Sequence, residues 1–355
     1  MRQRPPRILV VRLSALGDVI HALPVLGVLR EALPEAHIDW VVEDRAADLL
    51  AGRDELDRVV VFPRRELRGL SKHPIPWSRR VVDFLLELRK YRYDASLDLQ
   101  GNLKSGTIAR LSGARQRFGL DRSHSREGNH LFTTLRIRPP RDATHRVERN
   151  LALVARMVGK PVAWLDPGLP DAPSASARAR ELLAAAGVEE GTPYVVLHPG
   201  TSAFGAFKRW PPERFADLAA TLAARGERVV VTAPPGEEDL AREVAARSDE
   251  AAVMVETRGL DVLGEIIRGA RTFVGADTGP LHLAALAGTP LVGLFGPKDP
   301  TIYGPWGERA DGGAGLLPVL GRTDVACRPC GLRACADPVC MTGLAAEAVL
   351  ETLDG

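Results

Sequence analysis

At 355 residues the chain is too long for one ordinary α/β domain and about right for two. Its 45% apolar and 26% charged content is that of a soluble globular protein. With 47 basic against 45 acidic residues the net charge is only +2, which excludes a whole-molecule electrostatic footprint for nucleic acid.

The predicted elements alternate short β-branched runs with Ala/Leu-rich amphipathic stretches, the pattern of parallel sheets with helical crossovers. In the first half, strands are predicted at Arg7–Arg12, His37–Glu43, Arg58–Phe62 and Tyr93–Leu99. Helices are predicted near Val19–Leu33, Trp77–Tyr91 and Leu103–Leu111. Pro161–Ser176 holds four prolines with little periodicity and reads as an interdomain linker. It separates an N-terminal domain over 1–165 from a C-terminal domain over 166–355. In the second half, strands are predicted at Tyr194–His198, Arg228–Ala233, Ala251–Val255, Thr272–Gly275 and Leu291–Phe295. The helices between them fall near Glu213–Arg225, Glu237–Arg247, Asp261–Gly269 and Gly279–Ala287. The fold class is therefore α/β, two Rossmann-like domains whose strand ends face a central cleft, with functional residues in the loops after strands.

The apolar run Ile8–Val11 is stopped by Arg12, too short for a secretory core, and no stretch approaches the roughly 18 to 20 apolar residues of a membrane span. The expectation is a cytoplasmic protein whose membrane contact, if any, is peripheral.

Several post-strand loops carry chemistry. Ser14-Ala15-Leu16-Gly17-Asp18 places a carboxylate where a helix begins, and both an N-cap and a general base fit Asp18. His198-Pro199-Gly200-Thr201-Ser202 runs on to Lys208-Arg209, offering hydroxyls, backbone N–H groups and cations to a diphosphate. Gly275-Ala276-Asp277-Thr278-Gly279-Pro280-Leu281-His282 runs from strand directly into helix. There Thr278 and Gly279 suit phosphate and Asp277 suits sugar hydroxyls, while His282 is either structural or a support for them. Glu237, after Pro234-Pro235-Gly236, is placed either to hold ribose hydroxyls or to complement a helix dipole.

Taken together, the segments from Arg12 to Pro24, from Leu97 to Ser105, Lys208-Arg209-Trp210-Pro211, and from Asp277 to His282 closely resemble the ADP-heptose:lipopolysaccharide heptosyltransferases, glycosyltransferase family 9. The resemblance implies a GT-B fold and an inverting, metal-independent transfer, with ADP-heptose held by the C-terminal domain and the acceptor by the N-terminal one. It implies Asp18 as catalytic base. Thr201, Ser202 and Lys208 then fall in the phosphate-binding loop, and Glu237 is the ribose carboxylate, with a slip to Glu238 open. Asp277 becomes a heptose contact, and Thr278 and Gly279 diphosphate contacts.

Between Arg64 and Arg92 lie nine cations (Arg64, Arg65, Arg68, Lys72, Arg79, Arg80, Arg89, Lys90, Arg92) against Glu66, Asp83 and Glu87. That excess suits an anionic acceptor such as Kdo-lipid A at the cytoplasmic face of the inner membrane, with Arg64 and Arg65 as contacts; a solvated helix face is the alternative. Within the family, the Gly17–Pro24 and Asp39–Glu43 segments look like the first heptosyltransferase. The segment holding Cys327, Cys330, Cys335 and Cys340 looks more like the second. No cofactor is expected, although four thiols at this spacing leave a structural zinc, reduced thiols or disulfides open. A non-catalytic sugar-nucleotide-binding protein is the competing class. A dinucleotide-dependent dehydrogenase is disfavoured, because no Gly-x-Gly-x-x-Gly follows the first strand.

Overall fold

The computed structural model of the chain describes residues 4–62, 64, 74–201, 203–234, 236–332 and 334–354, without the side chains of 74–78, 80, 203 and 204. Its contacts divide it into two units, Met1–Pro170 and Asp171–Gly355.

In the first unit the near-continuous apolar runs become the strands of a parallel sheet covered on both faces. These are β1 (Arg7–Val11), β2 (His37–Glu43), β3 (Arg58–Phe62), β4 (Ala95–Asp98), β5 (Gln116–Leu120) and β6 (Leu135–Ile137). Their order is β3-β2-β1-β4-β5-β6, with every neighbouring pair parallel. The helices are α1 (Leu16–Ile20), α2 (Pro24–Ala32), α3 (Pro74–Lys90), α4 (Leu103–Leu111) and α5 (Arg146–Val158). Leu9, Val11, Val41, Phe62, Phe84 and Leu88 form part of the core between β1–β3 and α3.

The second unit opens with α6 (Pro173–Ala185) and continues through β7 (Tyr194–His198), α7 (Pro212–Ala224), β8 (Arg228–Ala233), α8 (Glu238–Arg247), β9 (Ala252–Glu256) and α9 (Leu260–Arg268). Then come β10 (Thr272–Ala276), α10 (Gly279–Leu286), β11 (Leu291–Leu294), α11 (Pro300–Tyr303) and the antiparallel hairpin β12 (Trp306–Glu308) and β13 (Ala314–Leu316). The chain finishes with β14 (Val319–Leu320), α12 (Val339–Thr342) and α13 (Ala346–Asp354). The sheet order is β14-β11-β10-β7-β8-β9, again parallel.

The structure departs from the sequence reading in several places. β5, β6 and β12 to β14 are additional strands, and α5, α6, α11 and α12 additional helices. The long first helix is broken at His21–Leu23 and restarted by Pro24, whose fixed φ suits the first turn of a helix. The C-terminal end of the supposed linker is helical, because Pro173 likewise opens α6. Among the described residues no helix is long and apolar enough to cross a membrane.

Trp210 ties the tail of the second unit to its core. Its ring is fully buried and packs edge-on against Phe215 at 4.8 Å, and its Nε1 donates to the Leu344 carbonyl at 2.9 Å. The anchor lies two residues beyond Lys208, so it also fixes where the Lys208 loop leaves the sheet. Trp210→Ala should cost about 3–5 kcal/mol of unit stability through the cavity it opens. Trp210→Phe, which mainly leaves the Leu344 carbonyl unpaired, should cost about 1–3 kcal/mol. Denaturant melts of the two variants check both values; equal losses would show that the hydrogen bond, not the volume, holds the tail.

Candidate active site

In each unit the first strand lies inside the sheet, and the chain crosses over to opposite sides of it. The loops on either side therefore diverge and leave a crevice at the carboxyl ends of the strands. In the first unit the crevice lies between the loops after β1 and β4. Gln100 stitches them together, its Oε1 accepting from Leu13 N at 2.7 Å and Ser14 N at 3.4 Å. Beneath it the buried Asp98 accepts from Gln100 N, Gly101 N, Ser105 Oγ and Asn129 Nδ2. Burial pushes its carboxyl up, against the pull of these donors.

Asp18, in the first turn of α1, is clamped by two guanidiniums. Arg12 Nη2 meets its Oδ2 at 2.7 Å and Arg146 Nη1 meets its Oδ1 at 3.0 Å. Arg12 is almost fully buried, and its Nη1 also donates to the Leu99 carbonyl at 2.5 Å. Arg146 is the first residue of α5, whose start is built by His145. The His145 backbone N–H donates to Glu148 Oε2 at 2.8 Å, and its Nδ1 accepts from Val147 N at 3.2 Å. The His145 ring stands edge-on to the buried His21 at 4.9 Å, and Asn150 Nδ2 donates to the His21 carbonyl. Sequence reasoning missed Arg12, His145 and Arg146 as parts of the Asp18 site. The signal was the His145-x-x-Glu148 capping box ahead of an apolar-periodic run, with histidine where serine or threonine is usual.

Among the described residues, the cations read as one acceptor surface fall at two ends of α3. Arg64 Nη1 pairs with the buried Glu43 at 2.5 Å, and Lys104 Nζ takes the other Glu43 oxygen at 2.6 Å. Arg65, Arg68 and Lys72 lie outside the described residues, as does the Arg80 side chain. Arg89, Lys90 and Arg92 lie at the far end of α3, which at 1.5 Å per residue is about 25 Å long. They stand where the strands begin rather than where they end.

In the second unit the crevice lies between the loops after β7 and β10. Lys208 Nζ meets Asp277 Oδ2 at 2.5 Å and the Asp277 carbonyl at 3.3 Å. His282 Nε2 lies 3.7 Å from Asp277 Oδ1. Burial pushes the Asp277 carboxyl up, but His282 and Lys208 outweigh it and hold it below the usual range. Thr278 is the N-cap of α10 without a side-chain capping bond, and Gly279 is that helix's first residue. The hydroxyls of Thr278 and Thr201 are both buried and have no hydrogen-bond partner among the described residues. Buried polar groups normally find partners, and these two orphan hydroxyls on facing loops are free to bond a ligand between them. Ser202 lies outside the described residues.

Glu237 and Glu238 separate cleanly. The Glu237 carboxyl reaches back to accept from Thr201 N, near Arg209, and burial pushes it up. Gly200 makes room: a Cβ there would stand 2.5 Å from Glu237 Oε2 and 3.0 Å from His198 Nε2. Glu238 instead folds onto Gly236 N, half-exposed, and that bond holds its carboxyl below the usual range. Arg209 braces the same loop, its Nη2 donating to the Thr201 carbonyl at 3.2 Å.

The four cysteines lie in the tail, unbridged: Cys327 and Cys335 exposed, Cys330 half-buried and Cys340 buried, with burial pushing the Cys340 thiol up. Among the described residues no group of three or more His, Cys, Asp or Glu side chains is placed to hold a metal ion.

Glycosyltransferase family 9 (heptosyltransferase) matches residues 81–314. Lipopolysaccharide heptosyltransferase 1 of Pseudomonas aeruginosa is 33% identical over 333 residues, covering 93% of this chain and 87% of the relative. Lipopolysaccharide heptosyltransferase 3 of Escherichia coli K12 is 29% identical over 298 residues, covering 82% and 83%. Among solved structures, E. coli heptosyltransferase WaaC with ADP-2-deoxy-2-fluoro heptose superposes with a TM-score of 0.73 at 25% identity, over 98% of this chain and 99% of that one.

His198, at the end of β7, is buried with its Nδ1 2.9 Å from Thr232 Oγ1, and burial pushes its pKa from 6.5 down to about 4. The folded state thus refuses a proton that the unfolded chain accepts. This contribution to stability is complete above pH 6.5 and is lost as pH falls towards 4, by roughly 3 kcal/mol in all. His198→Gln should flatten that part of the acid limb when stability is measured by denaturant melts from pH 7 to pH 4. An unchanged slope would remove His198 as its cause.

Proposed function

The chain belongs to glycosyltransferase family 9, the heptosyltransferases, and from that membership we propose that it moves heptose from ADP-heptose to the Kdo region of lipid A. It is a GT-B glycosyltransferase of lipopolysaccharide core biosynthesis. The proposal adds the acceptor, the residues and the place, the cytoplasmic face of the inner membrane.

The observation that carries the donor site is the pair of orphan hydroxyls, Thr201 and Thr278, beside Lys208 and the N-terminus of α10. A diphosphate in that crevice gives both hydroxyls a partner and meets a cation and a positive helix end. Glu237 then holds the ribose hydroxyls from the neighbouring loop. Asp277, oriented by Lys208 and His282, holds heptose hydroxyls.

The reaction is a single displacement. The acceptor oxygen attacks the anomeric carbon while the bond to the β-phosphate oxygen breaks on the opposite face, and its electron pair leaves with ADP. Asp18 takes the acceptor proton. Arg12 and Arg146 each occupy one of its oxygens, which fixes the carboxylate's orientation and leaves each oxygen a further lone pair for that proton. Lys208 and the α10 N-terminus meet the charge that develops on the departing diphosphate. For the acceptor's carboxylates, Arg64 and Lys104 stand tethered together on Glu43.

Mixing the protein with ADP-heptose and Kdo-lipid A should release ADP and add one heptose to the acceptor by mass. Turnover only on an acceptor that already carries heptose would replace this acceptor assignment. Asp18→Asn should lower turnover by about two to four decades while ADP-heptose affinity stays near normal. Lys208→Ala should weaken both ADP and ADP-heptose in calorimetry. Near-normal turnover of Asp18→Asn would take that residue out of the mechanism.

A further inference from the structure

At the other end of the first sheet, where the strands begin, a cavity of 480 Å³ is lined by Arg4, Arg89, Arg92, Arg115, Asp94 and Ser112 among others. Four guanidiniums against one carboxylate leave it an excess of three positive charges. Its acidic and neutral groups are already satisfied within the fold. Asp94 Oδ1 pairs with Arg4 at 2.8 Å and its Oδ2 accepts from Arg7 N at 2.9 Å. Ser112 Oγ donates to the Ala109 carbonyl at 2.8 Å. Arg89, Arg92 and Arg115 are exposed and have no carboxylate partner among the described residues.

Three unpaired guanidiniums around one concavity repel each other, and an anion between them removes that repulsion. We propose that this cavity binds a compact, soluble, multiply charged phosphate of the diphosphate class. Guanidinium forks bind phosphate oxygens in pairs, and a cavity of this size, at the small end of ligand sites, suits such an anion. Asp94 and Leu99 flank β4, so about 17 Å of strand separates the cavity from the end of the sheet that carries Asp18. A bilayer resting against the cavity would leave that catalytic end pointing away from the lipid-linked acceptor. This favours a soluble phosphate over a headgroup.

Arg92 supplies a clean test. It follows α3 with φ at +48°, the left-handed region that glycine occupies at lower cost. Arg92→Gly therefore removes the cation without straining the fold, and its melting temperature should be no lower than wild type. The full chain is titrated with inorganic diphosphate by calorimetry in a Lys208→Ala background, which silences the proposed donor site. One equivalent should still bind, and adding R92G and R115Q should weaken it by at least about tenfold. Absence of diphosphate binding in the Lys208→Ala protein would overturn the proposal, as would unchanged affinity in the triple variant. In a parallel arm, vesicles of phosphatidylglycerol are sedimented with the same proteins. Capture that depends on Arg92 and Arg115 without diphosphate binding would assign the cavity to a lipid surface and overturn it equally.

Discussion

A parallel sheet that places its first strand among its inner strands obliges the loops on either side of that strand to part, and both units of this protein are built on that constraint. In the second unit β7 and β10 pair directly, Gly275 opposite His198, so the loops that leave them run side by side. Lys208 from one loop can then reach Asp277 on the other, 69 residues away in sequence. The same adjacency brings the Thr201 and Thr278 hydroxyls to one crevice. In the first unit the pairing of β1 with β4 lets Gln100 fix the loop that leads to Asp18. Without those two pairings Lys208 could not reach Asp277, nor Gln100 the loop after β1.

Charge is then distributed by ion pairs rather than by composition. The protein is nearly neutral overall, yet carboxylates at both sites are held by cations: Asp18 by Arg12 and Arg146, Asp277 by Lys208, and Glu43 by Arg64 and Lys104. Such pairs add little stability when exposed, but buried or half-buried they set the direction in which each carboxylate points. For Asp18 that direction is what a proton acceptor needs. For Asp277 it leaves the lysine beside the orphan hydroxyls.

The loops proposed to carry chemistry stand out in the sequence because they combine strand ends, small residues and an acidic or hydroxyl side chain within a few positions, as in Asp277-Thr278-Gly279. The two α/β halves were legible from their apolar runs. β5 and β6 were not, because Gln116–Leu120 carries polar residues at its start and Leu135–Ile137 is only three residues long. The capping box ahead of Arg146 marks only a helix start, and neither it nor Arg12 points to Asp18, since the pairing of Arg146 exists only once α5 docks on His21. The basic stretch illustrates the opposite limit. Its cations are close in sequence, but among the described residues Arg64 and Arg89–Arg92 lie at opposite ends of α3. Glu237 and Glu238 are neighbours in sequence, and only the space above Gly200 shows which of them turns inward.

The division of labour between Lys208 and Asp277 is the centre of the proposed chemistry, and calorimetry on Asp277→Ala tests it most directly. In this variant Lys208 keeps the Asp277 carbonyl as a partner, so its hold on the diphosphate should survive. ADP should bind nearly as it does to wild type. ADP-heptose should bind roughly ten- to a hundredfold more weakly, the loss expected when hydrogen bonds to a charged group disappear. An equal loss of both ligands would contradict the assignment of Asp277 to the sugar and make the ion pair itself part of the diphosphate site.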